Sequence, residues 1–121
     1  MISNNRIAIV NTATTFDDFK AKEALDLALI FASYEMPVAL FFMADGVFQT
    51  KANQNPEGIG NKDFIATFKA LGFYDIDDIY ICQEDMVERM IEGELSVDGA
   101  EILPRTQFKQ TLNNYDLVLT F

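Results

Sequence analysis

The sequence has no histidine, no tryptophan and a single cysteine, Cys82, in 121 residues. Without histidine the chain lacks the usual general base near neutral pH and the commonest metal ligand. One cysteine forms no intrachain disulfide, and it fits a reducing compartment better than secretion. Cations are scarce: nine Lys and Arg face nineteen Asp and Glu, for a net charge of −10. No basic run is present, which argues against direct gripping of a nucleic-acid backbone. No apolar run approaches the roughly 20 residues of a membrane span. Residues 7–10 (IAIV) are too short for a signal-peptide core, and Arg6 is the only cation before them. Together these point to a cytoplasmic chain with no direct nucleic-acid or membrane partner.

What is present is apolar. Half the residues are hydrophobic and eleven are Phe. A single domain over residues 1–121 can bury about two-thirds of its extended surface. Such a core needs no metal and no disulfide, and nothing in the chain calls for a cofactor.

Arg6 to Val10 reads as a strand, followed by a hydroxyl-rich loop at 11–17 (NTATTFD). A helix starts near Asp17 or Asp18, either of which can cap it, and stops near Tyr34 before Pro37. Val38 to Met43 is unbroken apolar, the mark of a strand buried on both faces. Asp45-Gly46 signals a turn. Residues 51–61 (KANQNPEGIGN) form a loop. A helix over Lys62 to Leu71 ends at Gly72, with Phe64, Phe68 and Leu71 on one face. Ile79 to Cys82 reads as a strand, Glu84 to Glu92 as a helix, and 95–103 as a fourth strand. Pro104 opens a helix reaching Leu112, and Leu117 to Leu119 forms a last strand. Strands alternating with helices imply a parallel sheet covered on both sides. The expected fold is α/β: a single-domain, flavodoxin-like, three-layer sandwich around a five-stranded parallel sheet.

The first helix is too apolar for a single cover. At ~100° per residue, Lys22, Asp26 and Ser33 share one narrow stripe. Leu25, Leu27, Ala28, Leu29, Phe31, Ala32 and Tyr34 take most of the rest. Leu27, Phe31 and Tyr34 are therefore candidate interface residues. The alternative is a neighbouring helix covering them within the domain. Phe48, an aromatic beside the polar 45–46 turn, is a further interface candidate, with core packing as its alternative.

Cys82 ends a strand and precedes a helix, at the edge where open α/β sheets react. A helix N-terminus lowers a thiol pKa, and a nucleophilic thiol acts as its thiolate. Glu84 and Asp85 oppose that, and no cation lies nearby in sequence. Cys82 is thus either a reactive thiol, the one candidate catalytic residue, or a buried thiol packed beside Tyr80. Thr12, Thr14 and Thr15 sit where flavodoxin-like proteins bind phosphate, but the loop lacks the glycine such sites use. Asp75, Asp77 and Asp78 read as a solvated connection rather than a metal site. Asp45 reads as a turn residue.

Three blocks carry a resemblance: FFMADGVFQ from Phe41 to Gln49, DFIATFKALGFYDIDDIYIC from Asp63 to Cys82, and NNYDLVLTF from Asn113 to Phe121. Together they resemble the TusC/DsrF branch of the DsrE/DsrF-like superfamily. Lys22-Glu23 stands where relatives carry Arg-Glu, without their nearby glycine. The resemblance implies one subunit of a heterohexamer built with related TusB- and TusD-like chains. It implies a cytoplasmic relay that takes persulfide sulfur from upstream carriers to downstream ones, for 2-thiouridine at the tRNA wobble position. The sulfur-carrying cysteine of that relay lies mainly in the sister chain, at a position matching Cys82, which the resemblance makes a candidate persulfide carrier. This chain would be an assembly or accessory subunit of a sulfurtransferase complex. The alternatives are a flavodoxin-like binding protein, or a homo-oligomeric DsrE-like protein serving sulfur oxidation.

Overall fold

A computed structural model describes residues 6–12, 18–50, 76, 78–91 and 99–121, and the side chains of the first helix from residue 23 onward. Five strands form one all-parallel sheet: β1 (Ile7–Asn11), β2 (Val38–Phe42), β3 (Asp78–Cys82), β4 (Glu101–Leu103) and β5 (Leu117–Thr120). Their order is β4-β3-β2-β1-β5. Strands β1 to β4 advance in one direction, and β5 returns to the far side of β1. The described helices are α1 (Asp18–Ser33), α2 (Gln83–Glu88) and α3 (Arg105–Leu112), with a 3-10 helix at Ala44–Thr50. The five-stranded parallel sheet expected from the sequence is present, and helices cover both its faces. Flavodoxin's own order is 2-1-3-4-5, so the layers agree and the strand order differs.

Alternation along the strands sorts side chains between two cores. Ile7, Ile9, Val38, Leu40, Phe42, Ile79 and Ile81 face α1, where Ala24, Leu25 and Ala28 pack on them. Ala8, Val10, Ala39, Phe41 and Cys82 face the other way, toward Phe108 of α3 and Tyr115. Phe41 anchors that second core, with edge-on contacts to Phe108 at 5.3 Å and Tyr115 at 5.4 Å between ring centroids. Arg6 lies 4.4 Å above the Tyr115 ring, so one end of this cluster is capped by a cation. β1 and β2 are buried along their whole length, which is why both read as continuous apolar runs.

Helix α1 ends in a left-handed residue. Glu35 has φ 61°, its N–H reaches Ala32 O, and Met36 N–H reaches Phe31 O. This pairing closes the free carbonyls of the last turn, and Pro37 prevents any continuation. Met90 (φ 56°) closes α2 with the same two bonds, from Met90 N–H to Val87 O and Ile91 N–H to Met86 O.

Some boundaries differ from the sequence reading. α2 stops at Glu88 rather than Glu92 because Met90 turns left-handed. The fourth strand spans Glu101–Leu103, and positions 95–98 of the expected range lie outside the described residues. The 45–46 turn belongs to the seven-residue 3-10 helix. Gly46 there lies so close to the Asn11 carbonyl that any Cβ would strike it, which is a packing reason for that glycine. The expected loop at 51–61, the helix over 62–71 with Phe64, Phe68, Leu71 and Gly72, and the residues Thr14, Thr15, Phe73, Tyr74, Asp75 and Asp77 lie outside the described residues.

Candidate functional site

At the C-terminal edge of the sheet, β2 runs into the 3-10 helix, β3 into α2, and β4 into α3. Cys82 is the residue preceding α2, with extended backbone (φ −75°, ψ 118°). Its side chain is 1% exposed and belongs to the α3-side core.

The first turn of α2 carries Glu84 and Asp85, and both are engaged. Glu84 accepts a 2.8 Å hydrogen bond from the backbone N–H of Arg105, so one helix caps the start of another. Asp85 Oδ2 accepts from the Ala44 amide at 2.8 Å. Asp85 Oδ1 accepts from Arg105 Nη2 at 2.7 Å. Arg89, one turn on, donates to the Asp85 carbonyl at 3.2 Å and to Asp45 Oδ1 at 2.9 Å. One buried carboxylate therefore ties together the starts of the 3-10 helix, α2 and α3. Ala44 is left-handed (φ 50°), a conformation costing a non-glycine residue roughly 1–2 kcal/mol, and its N–H is held by Asp85.

Protonation follows from this geometry. Burial alone would raise the Asp85 pKa. The Ala44 amide, the Cys82 thiol and Arg105 outweigh it, so the carboxyl is held below its ordinary 3.8. Burial first, and then the Asp85 charge and the thiol's hydrogen bond to it, push Cys82 above its ordinary 9.0. The Asp85 amide and Arg105 act the other way and do not reverse the shift. The thiol is accordingly protonated near neutral pH and shielded from solvent. Such a group packs well and attacks slowly.

The other sequence candidates are not gathered around Cys82. Leu27, Phe31 and Phe48 are half-buried against the core on the α1 face, the opposite side of the sheet from Cys82. Tyr34 is 75% exposed. Thr12 Oγ1 donates to Phe121 O, tying β1 to β5. Asp78 is exposed on β3. Asp45 pairs with Arg89 rather than serving only the turn. Among the described residues, no group of three Cys, Asp or Glu gathers as a metal site. Sequence reasoning missed Asp85, Arg89 and Arg105 as a unit. A usable signal existed: Arg105 opens a helix, where the macrodipole disfavours a cation, and so called for a carboxylate from elsewhere.

The family model described as the DsrE/DsrF-like family matches residues 5–121. The chain belongs to the DsrE/DsrF-like family. This DsrE/DsrF-like chain is 38% identical over 117 residues to Protein TusC of Escherichia fergusonii, covering 96% of this chain and 98% of that one. It also superposes on the crystal structure of the ychN protein from E. coli with a TM-score of 0.81 at 26% identity, over 97% of this chain and 99% of the other. Among the described residues of the DsrE/DsrF-like chain, no helix is long and apolar enough to cross a membrane.

Proposed function

We propose that the chain is a non-catalytic assembly subunit of a cytoplasmic sulfur-relay complex serving 2-thiouridine formation at the tRNA wobble position. Its partners in this reading are two related chains of the TusB and TusD kinds, and persulfide sulfur passes through a cysteine of a sister chain. The observation that carries the reading is the end-to-end likeness to Protein TusC. The state of Cys82 supports the division of labour. A carrier thiolate must reach and attack the outer sulfur of a donor persulfide, whereas Cys82 is buried and protonated. The apolar residues left on α1 support a subunit that is completed by others.

The test is genetic and chemical. Deleting the gene in its source organism is expected to deplete 2-thiouridine nucleosides in tRNA digests analysed by mass spectrometry. Wild-type chain and Cys82→Ser are both expected to restore them. Restoration by wild type but not by Cys82→Ser assigns sulfur carriage to Cys82 itself. Unchanged 2-thiouridine after deletion removes the tRNA role and favours a homo-oligomeric protein of sulfur oxidation.

A further inference from the structure

Among the described residues, no helix covers strand β5 on the face it shares with α1. Helix α1 sits over β1 and β2, and the connection that returns to β5 runs through α3 on the opposite face. Leu119 and the adjoining Phe121 point to the α1 side and are only partly buried. Leu117, in register with Ile7 and so on that same face, is 43% exposed. No described helix lies over them.

The wall of this space is one flank of α1. Ala24, Leu25 and Ala28 form the buried base of the helix. Leu27, Ile30, Phe31 and Tyr34 stand at i, i+3, i+4 and i+7 and share one flank, while Leu29 takes the other. In a right-handed β1-α1-β2 crossover, the Leu27 flank is the one turned toward β5. Ile30 is 52% exposed and Tyr34 75%. Strands lie about 4.8 Å apart and packed helices roughly 8–10 Å apart, so a helix laid beside α1 comes to rest over β5. The groove has the dimensions of one missing helix.

Charge selects the occupant. Glu23, Asp26 and Glu35 stand exposed around the flank; Lys20 and Lys22 belong to the same helix, with side chains outside the described residues, and the chain as a whole carries a net charge of −10. A second copy would bring like charges to the same rim. We propose that the α1–β5 groove docks an amphipathic helix of a different protein chain, one with an apolar stripe and basic flanking residues. The proposal rests on the assembly reading above and names its surface and the chemistry of its partner.

Two arms test it. In the first, the full chain is titrated with fluorescein-labelled, helix-stapled peptides bearing leucines at i, i+3, i+4 and i+7, with either lysines or glutamates flanking the stripe. The lysine peptide is expected to bind, and the glutamate peptide to bind about tenfold or more weakly. Ile30→Arg is expected to abolish binding with an unchanged circular dichroism spectrum. Equal binding of both peptides, or binding indifferent to Ile30→Arg, overturns the proposal. So does a homodimer in sedimentation that Ile30→Arg dissolves, because it makes the occupant a second copy. In the second arm, the chain is co-expressed with its TusB- and TusD-like relatives. Ile30→Arg is expected to block assembly, while Met90→Arg, at an equally apolar but remote exposed site, leaves it intact. Assembly indifferent to Ile30→Arg overturns the groove and leaves the assembly reading standing. Lysine-peptide binding without any assembly supports the groove and overturns that reading.

Discussion

The guanidinium of Arg105 reaches back 20 residues to hold Asp85, with Nη2 at 2.7 Å from Oδ1. Asp85 is 6% exposed, so the pair is half inside the protein. The other carboxylate oxygen fixes the strained Ala44 amide. Removing the carboxylate strands a half-buried N–H and frees one end of α3, whereas removing Arg105 leaves a buried charge with fewer donors.

Asp85→Asn is expected to destabilise the fold by about 1–3 kcal/mol, read from urea denaturation at pH 7. The same comparison across pH carries a sign. The folded pKa lies below the ordinary 3.8, so the stabilisation is complete above about pH 5 and is lost as pH falls through the folded pKa. Wild type should therefore lose stability more steeply than Asp85→Asn below pH 4, and the two curves should converge in acid. Parallel curves would mean that Asp85 titrates alike in folded and unfolded chains.

Cys82 should behave as a sheltered thiol. Reaction with a disulfide reagent at pH 8 is expected to be slow in the native protein and complete within seconds after addition of denaturant. Asp85→Asn removes the neighbouring negative charge that raises the thiol pKa, so the pH midpoint of alkylation should move down. A native thiol that reacts as fast as free cysteine would show an open, activated site instead.

Tyr115 offers a third measurement. Its hydroxyl is buried and makes no hydrogen bond of good geometry, although Arg6 and the Tyr80 hydroxyl are near. Burial is the largest cause of its pKa being pushed up to about 12. Ultraviolet titration should resolve one tyrosine ionising near that value. Because the folded pKa is raised, stability is retained below pH 10 and lost as pH rises toward 12. Tyr115→Phe should leave stability at pH 7 within about 1 kcal/mol of wild type, since it removes an unsatisfied group rather than a bond.

What the chain discloses by itself depends on the range of the interaction. β1 and β2 were legible because strands buried on both faces are written as uninterrupted apolar runs. Pro37 and Pro104 marked helix ends, and α1 starts at Asp18 within the expected range, because end signals are local chemistry. β4 was blurred because an edge strand of three residues with Glu101 exposed leaves no period to read. The Asp85 network was hidden because its partners stand 20 and 41 residues away in the chain. Glu84 and Asp85 looked like free charges beside a thiol. Folded, Glu84 caps α3 and Asp85 is neutralised by Arg105. The apolar excess of α1 was legible from composition. The β5 face beside it, which no described helix covers, was not, since it follows from a strand order that no local pattern encodes.

Assembly is tested most directly by native mass spectrometry of the chain isolated, gently and at low salt, from its source cell. The expected spectrum is one complex containing this chain and two related small α/β chains in equal number, with free chain a minor species. A spectrum dominated by the bare chain, or by copies of it alone, would contradict a relay subunit completed by sister chains.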